Sequence, residues 1–153
     1  MESLLGHVAE MSLEESQDLL RRCGYGRLGL AFESEPYVVP VWHVYDGERV
    51  WFHVGKVGKT TTYLQANPGI CFEVDEWLAN GWASVICYGT VAMTDDLDTR
   101  RRFVKLLRGE APTDEQLSEM DVYVCTLSIE EMTGRKSSGY REPSAGPRAE
   151  PVD

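Results

Sequence analysis

The stretch YVVPVWHVYDGERVWFHV, residues 37–54, decides the architecture of the chain. Two runs of β-branched and aromatic residues, 37–45 and 48–54, flank the dipeptide Asp46-Gly47. Asp-Gly between two such runs is a strong signal for a two-residue β-hairpin turn. Parallel strands would need a crossover of about a dozen residues or more, which this connection does not provide. The sequence therefore predicts a sheet that is antiparallel at least in part.

A two-residue turn at Asp46-Gly47 also predicts which residues of the hairpin face each other. It places Trp42 opposite Trp51 and Pro40 opposite His53, all on one face of the ribbon. The other face carries the remaining side chains that alternate with these, namely Val39, Val41, His43, Tyr45, Val50, Phe52 and Val54. A three-residue turn would shift the pairing and change these neighbours. In either register, an aromatic-rich surface ends beside the loop that follows residue 54.

Further strands and helices are predicted around this hairpin. Runs of strand-forming residues mark strands over 27–32, 69–76, 82–94 and 122–129. Helices are predicted over 13–23, 59–67, 95–107 and 112–120. The first of these begins with a capping box formed by Ser12 and Glu15. Six strands joined by hairpins or short loops indicate a mainly β fold, an antiparallel barrel with peripheral helices.

The composition limits the classes of function. The 15 basic and 25 acidic side chains give a net charge of −10, which argues against a nucleic-acid partner. No apolar run approaches the roughly 20 residues that span a bilayer, so no membrane partner is expected. The N-terminus lacks the basic start and apolar run of a secretory signal. A cytoplasmic location is therefore expected.

One folded domain is predicted over residues 1–140, followed by a Pro-rich acidic tail over 141–153. The tail holds three prolines from Glu142 onward and has almost nothing to bury, so it is predicted to be disordered unless a partner orders it. The four cysteines are scattered without C-x-x-C spacing (Cys23, Cys71, Cys87 and Cys125). Packed free thiols are expected, and no metal site is predicted.

The loop HVGKVGKT, residues 53–60, lies one substitution away from the P-loop pattern G-x-x-x-x-G-K-[ST]. His53 replaces the first glycine, a hairpin strand precedes the loop and a short helix follows it, so the match to an ATP-binding motif is interpreted as coincidental. Lys56, Lys59, two glycines and the hydroxyls of 60–62 nevertheless suit a monophosphate at a helix start. The alternative is an ordinary solvated basic turn.

The motifs around this loop resemble the pyridoxamine 5'-phosphate oxidase-like flavoproteins, the FMN-binding split-barrel group. They are most similar to the short branch that includes the nitroimidazole-resistance-type proteins. That branch reads G-R-L-G, P-Y-x-x-P-V-x-F-x-Y-D-G, F-H-S-A-x-x-G-x-K and N-P-x-V-C-F-x-V. The residues that match are Gly26-Arg27-Leu28-Gly29, Pro36-Tyr37, Pro40-Val41, Tyr45-Asp46-Gly47, Phe52-His53, Gly58 and Asn67-Pro68, followed later by Ser84-Val85 with Gly89 and by Thr133-Gly134. The resemblance covers residues 12 to 136, with several motifs in the same order.

The resemblance implies a six-stranded split β-barrel that acts as a homodimer, with FMN at the subunit interface. Strand residues Val39, Pro40, Val41, Trp42 and His43 would then lie along the isoalloxazine ring. The phosphate-binding turn would consist of His53, Lys56, Gly58, Lys59 and Thr60. Ser84 would approach the ring or the ribityl chain from a neighbouring strand.

The chain departs from the branch at several positions. Thr60 stands where the branch usually has a basic residue, and Trp42-His43 stands where smaller polar residues and phenylalanine are commoner. The C-terminal W-x-x-x-R-L segment of true pyridoxamine 5'-phosphate oxidases is missing. Oxidation of vitamin B6 is therefore not expected.

Two functions follow from the resemblance. The first is an oxidoreductase in which FMN passes electrons from a nicotinamide cofactor to a small acceptor such as a nitro-aromatic. The second is a non-enzymatic protein that binds or senses a flavin or haem. Haem and deazaflavin are alternative ligands for this fold, and His43 or His53 would be the iron ligand in a haem protein. No catalytic residue is evident, because a flavin carries the redox chemistry itself.

Overall fold

The structure is a computed structural model that describes residues 6–143. The predicted disordered tail, 141–153, lies outside the described residues apart from its first three positions, and its disorder stays a prediction. Among the described residues no helix is long and apolar enough to cross a bilayer.

Eight strands form one antiparallel sheet in the described part of the chain. They are β1 Val8–Glu10, β2 Tyr25–Phe32, β3 Glu35–Trp42, β4 Val44–Tyr45, β5 Arg49–Gly55, β6 Gly69–Leu78, β7 Gly81–Thr94 and β8 Val122–Ser137. The strand order is β3-β2-β6-β7-β8-β5-β4, and β1 pairs with β8. Strands are present in all six predicted regions, so the predicted mainly β, antiparallel fold is confirmed. The predicted strand over 37–45 is divided into β3 and β4, and the short strand β1 was not predicted.

The two terminal strands of the sheet order, β3 and β4, are consecutive in the chain. Only His43 separates them. The sheet must therefore curl until its first and last strands meet, which makes a barrel without closing the ladder of hydrogen bonds between them. Large apolar side chains from all sides fill the interior, including Leu28, Phe52, Phe72, Val85 and Leu127.

The predicted continuous strand over 37–45 is wrong because the chain changes partner at His43. The backbone N–H of His43 donates to the carbonyl oxygen of Gly24 at 3.1 Å. Its imidazole is fully buried, with Nε2 3.0 Å from the carbonyl oxygen of Leu20 and the ring edge against Phe72. Before this residue the chain pairs with β2, and after it with β5.

The predicted hairpin register is wrong as well. Val44 lies opposite Trp51 and Tyr45 lies opposite Val50. Trp42 instead lies opposite Tyr25 on β2, and Pro40 lies opposite Arg27. The predicted common face of Trp42, Pro40, Trp51 and His53 does not form, because the two halves of that segment belong to opposite ends of the sheet.

The carboxylate of Asp46 explains the register. It accepts hydrogen bonds from the backbone N–H groups of Glu48 at 2.8 Å and Arg49 at 2.6 Å, and from Nε1 of Trp51 at 2.8 Å. The backbone N–H of Asp46 donates to the carbonyl oxygen of Arg49 at 3.1 Å. The turn is therefore centred on Gly47 and Glu48, one residue later than predicted, and Gly47 takes the positive φ of 96° at its first central position.

Between residues 6 and 143, four helices pack around the sheet: α1 Leu13–Arg22, α2 Lys59–Ala66, α3 Leu97–Arg108 and α4 Asp114–Ser118. The predicted capping box of Ser12 and Glu15 begins α1. Helix α3 covers the outside of β5, where Phe103 and Leu107 join Val44, Trp51 and Val124 in a second apolar cluster.

The four cysteines are free thiols. Cys87 and Cys125 are buried in β7 and β8, whereas Cys23 and Cys71 are half-buried. Burial raises the pKa of Cys23 to about 11 and the pKa of Cys87 and Cys125 to about 12. These three side chains therefore stay protonated and behave as small apolar residues.

Replacing Asp46 with alanine should lower the free energy of unfolding by about 2–4 kcal/mol, because three hydrogen bonds to a charged acceptor are lost and Trp51 keeps a buried donor without its partner. Denaturant unfolding at neutral pH measures the loss. Glu48→Ala is the matched control, since Glu48 contributes its backbone N–H to the turn. Equal losses in the two variants would contradict the role of the Asp46 carboxylate.

Candidate functional site

The start of α2 offers backbone donors to a ligand. Helices α1, α3 and α4 begin with the capping side chains Ser12, Asp96 and Thr113. The N-cap of α2 is Gly58, which has φ 136° and makes no side-chain cap bond in the described structure. The N–H groups of the first turn of α2 therefore lack the side-chain acceptor that the other helices provide. Such a helix start favours an anion.

The two lysines of the loop lie in different surroundings. Lys59 Nζ is 4.6 Å from the ring centre of Tyr37 on β3 and 5.6 Å from that of Tyr63 on α2. Lys56 Nζ is 2.8 Å from Oδ2 of Asp95 and 4.4 Å from the ring centre of Tyr123. Lys59 thus lies on the β3 side of the loop. Lys56 is held on the opposite side, by the segment that leads into α3.

The hydroxyls of the three threonines after Lys59 have different roles. The hydroxyl of Thr61 is buried and donates to the carbonyl oxygen of Gly55 at 2.6 Å. The hydroxyl of Thr62 donates to the carbonyl oxygen of Gly58 at 2.9 Å. Two hydroxyls therefore fix the loop against the helix, and Thr60 supplies the hydroxyl that a ligand would use.

An open groove of about 800 Å³ lies next to Tyr37 on the outside of the barrel. Its lining is mostly apolar and comes from β2, β3, β6, β7 and β8, with Pro36, Tyr37, Val38, Cys71, Tyr88 and Glu130 among its residues. Two glycines of its lining allow neighbouring groups to approach closely. A Cβ added at Gly29 would clash with Sγ of Cys71, and one added at Gly89 would clash with the carbonyl oxygen of Ser128. The groove has the size and lining of a small-molecule site.

The backbone of β3 can contribute polar contacts beside this groove. Strand β3 is the first strand in the sheet order, so within the described chain only one of its edges pairs with a strand, β2. The other edge carries backbone donors and acceptors. A flat heterocycle that lies along β3 would meet these groups.

The structure brings some of the predicted site residues together. Gly58, Lys59 and Thr60 lie at the start of α2 beside Tyr37, two residues before Val39 on β3. No bound ligand tests these assignments, so the cofactor-binding roles stay predictions.

Several other predicted residues lie elsewhere. Val39 and Val41 pack against the core, and the side chain of His43 is fully buried. Pro40 and Trp42 lie on the outer face towards the far end of β3, and five residues of strand, roughly 17 Å, separate Tyr37 from Trp42. These residues can meet a ligand beside Lys59 mainly through their backbone.

Ser84 and His53 do not line the groove, and they lie far from each other along the strand direction. Ser84 pairs with Asp75 and Arg135 in the middle of the sheet. Val124 on β8 pairs with both His53 on β5 and Thr94 on β7, so His53 and Thr94 lie at the same height in the sheet. The ten residues from Ser84 to Thr94 span roughly 30 Å, which is therefore also the separation of Ser84 and His53 along the strand direction. His53 points outward from β5 towards α3, with its ring centre 5.9 Å from that of Phe103.

Sequence reasoning missed most of the groove. Tyr37 belongs to the quoted P-Y motif, but its contact with Lys59 depends on the packing of α2. Val38, Gly29 and Cys71 are aligned across three strands, and Tyr88 lies next to Cys71. Only the correct strand order reveals this row, and the sequence gives no local signal for it.

The outer face of the sheet holds a charged cluster among apolar side chains. Arg27 Nη1 lies 3.0 Å from Oε1 of Glu73 and 2.7 Å from Oδ2 of Asp75. The pKa of Glu73 is raised to about 7, first by burial and then by its hydrogen bond to Asp75 and the charge of that carboxylate, although Arg27 acts in the opposite direction. Tyr25 and Trp77, which are half or more exposed, lie on the same face.

The sequence profile described as pyridoxamine 5'-phosphate oxidase matches residues 12–136, most of the chain. The chain belongs to the pyridoxamine 5'-phosphate oxidase family. The resemblance found in the motifs is thereby confirmed. The range covers every strand from β2 to β7 and all but the last residue of β8, together with α1 to α4.

Solved structures of this family share the fold. An FAD-binding protein from Mesorhizobium loti is 26% identical, with a TM-score of 0.72 over 86% of this chain and 99% of that chain. A putative 5-nitroimidazole antibiotic resistance protein from Bacteroides thetaiotaomicron is 18% identical, with a TM-score of 0.71 over 85% and 87% of the two chains. An FAD- and haem-binding protein from Mycobacterium smegmatis is 16% identical, with a TM-score of 0.68 over 90% and 76%. The predicted split-barrel fold is confirmed.

A curated relative covers less of the chain. An uncharacterized protein from Rhizobium meliloti (strain 1021) is 28% identical over 83 residues, which are 54% of each chain. The alignment thus spans about half the length of that relative.

Proposed function

We propose that this protein is a flavin-dependent oxidoreductase. The phosphate of the flavin nucleotide would bind at the start of α2, and its ring would lie in the groove beside β3. The observation that carries the proposal is the contact between Lys59 and Tyr37, because it joins the only uncapped helix start of the described chain to β3, whose residues 36–38 line the groove. A bound flavin would supply hydride and electron transfer.

The phosphate end fits the residues present. The first N–H groups of α2 point along the helix axis at their N-terminal end, and Lys59 adds a positive charge. Thr60 adds a hydroxyl. One charged residue makes a weaker phosphate site than the paired basic residues of the related branch, so the backbone donors of α2 carry a larger share of the binding.

The ring end fits as well. The groove is mostly apolar, and the edge of β3 presents backbone groups to the polar rim of an isoalloxazine. FMN is the smallest flavin that uses both parts of the site. The similar proteins from Mesorhizobium loti and Mycobacterium smegmatis are both described as FAD-binding, which supports a flavin nucleotide as the ligand class. Mass spectrometry of the ligand released by denaturation distinguishes FMN, FAD, a deazaflavin and haem.

We also propose that two copies of the chain associate through the outer face of the sheet. Val38 is 66% exposed and Tyr88 is 48% exposed, and both lie beside the groove. Exposed apolar patches of this kind mark interfaces, and a two-fold dimer uses the same patch on both copies. The second copy would cover the groove and keep water away from the ring.

A non-enzymatic carrier or sensor is the second candidate function. One similar structure is that of an FAD- and haem-binding protein, which favours haem as the competing ligand. Of the two histidines considered, His43 is enclosed in the core with its Nε2 against the Leu20 carbonyl. His53 borders a cavity and is the better placed iron ligand.

Lys59→Ala should weaken flavin binding by about 1.5–3 kcal/mol, which raises the dissociation constant about 13- to 160-fold, because a charged donor to the phosphate is lost. Titration of the apoprotein with FMN, followed by flavin fluorescence, measures the dissociation constant. Lys56→Ala removes the same charge from the same loop, but Lys56 is held by Asp95. We expect a smaller effect for that control. Unchanged affinity in the Lys59 variant would place the phosphate elsewhere.

Anaerobic addition of NADH or NADPH to the flavin-loaded protein should bleach the visible absorption of the flavin, and a nitro-aromatic acceptor should restore it. The experiment separates the enzyme from the carrier, since a carrier holds the flavin without exchanging electrons with a nicotinamide. A flavin that dithionite reduces but neither nucleotide reduces would refute the nicotinamide-dependent activity.

Tyr88→Glu and Val38→Glu should convert a dimer into a monomer, because each buries an unpaired carboxylate in the proposed contact. Light scattering coupled to size-exclusion chromatography gives the mass in solution. Leu106→Glu places the same charge at an exposed position on α3 and should stay dimeric. A monomeric wild-type chain, or dimeric Tyr88 and Val38 variants, would contradict the proposed interface.

A further inference from the structure

We propose that the cleft between β5, α3 and α4 is a second small-molecule site, which takes an uncharged ligand of one or two aromatic rings with both a hydrogen-bond donor and an acceptor. This site is distinct from the proposed flavin groove and does not depend on it. Its central polar group is His53, which the sequence had suggested as a phosphate contact.

The cleft has the volume and lining of a ligand site. It measures about 390 Å³, within the range of roughly 300–1,000 Å³ that small-molecule sites occupy. Its apolar walls are formed by Phe103, Val104, Leu107, Pro112, Met120 and Val122. A ligand of one or two rings matches this size.

Neighbouring contacts hold the cleft in shape. Phe103 belongs to the apolar cluster on β5, and Leu117 anchors α4 in the interior. Thr113 and Gln116 form a capping box that begins α4. Arg101 on α3 lies 3.3 Å from the carboxylate of Asp114 on α4. The two helices are therefore joined to the sheet and to each other around the cleft.

The polar groups of the cleft favour an uncharged ligand. Burial lowers the pKa of His53, so its imidazole is neutral at neutral pH and offers one donor and one acceptor. Gln116 contributes the N–H donors of its Nε2, because its Oε1 accepts the backbone N–H of Thr113 in the capping box. One basic residue, Arg108, and one acidic residue, Glu119, line the cleft. Their charges cancel, so the lining has no net charge that would attract an ion.

The cleft and the flavin groove lie on opposite sides of one loop. His53 faces outward to Phe103, whereas Lys59 lies over Tyr37 on β3. Between them, Lys56 is held by Asp95 and Tyr123. A ligand in the cleft would therefore leave the start of α2 accessible.

Benzimidazole is a suitable probe because it is neutral at neutral pH and has two fused rings, one donor and one acceptor. We expect it to bind the full chain, measured by calorimetry and ligand-observed NMR at neutral pH. Val104→Trp should fill the cleft and weaken binding at least about tenfold, a loss of about 1.4 kcal/mol. Lys105→Trp adds the same side chain to the exposed side of α3 and should leave binding unchanged.

Two further measurements complete the test. Met120→Trp fills the cleft from the other wall and replaces Val104→Trp if that variant does not fold, as judged by circular dichroism. Saturation with FMN should leave benzimidazole binding unchanged. The proposal is overturned if the wild-type chain does not bind the probe, if the folded cleft-filling variants bind it as well as the wild type does, or if FMN displaces it.

Discussion

The fold depends on a single residue that joins the two ends of the sheet. His43 separates β3 from β4, which are the first and last strands in the sheet order. Its backbone N–H donates to the carbonyl oxygen of Gly24, and its ring contacts the Leu20 carbonyl oxygen and Phe72. These contacts fix the point at which the chain stops pairing with β2 and begins to pair with β5. Because consecutive residues cannot lie far apart, this crossing forces the sheet to curl. The barrel is a consequence of chain continuity as much as of the core.

The same curvature creates the candidate site. Curling brings the open edge of β3 near the end of β5, and α2 crosses there on its way to β6. Lys59, at the first turn of α2, thereby reaches Tyr37 on β3, although 22 positions separate them in the chain. Glycines in the lining of the groove occupy positions where neighbouring strands or side chains approach closely. Neither element would form a ligand site alone, since one supplies the charge and the other the flat apolar surface.

Much of the fold was predictable, and the reasons for the errors are specific. Strand positions, the helix caps at Ser12 and the family could be obtained from local patterns and ordered motifs. The break at His43 could not, because 37–45 has uniform strand character and only the packing of the imidazole decides its partner. The turn moved by one residue because the Asp46 carboxylate binds two backbone N–H groups. The residue types of loop 53–60 suggested a phosphate site, which stays a proposal, yet the separation of Lys56 from Lys59 depends on Asp95, which lies 39 residues after Lys56.

The distribution of the four thiols sets a hierarchy of chemical reactivity. With a pKa of about 11 or higher, Cys23, Cys87 and Cys125 are thiolate in at most on the order of one part in 10,000 at pH 7. Alkylating reagents attack only the thiolate, so these positions are protected without any disulfide. Cys71 is half-buried on the wall of the groove. A thiol-directed fluorophore attached to Cys71 would consequently lie in the groove, and its emission would respond to a ligand that binds there.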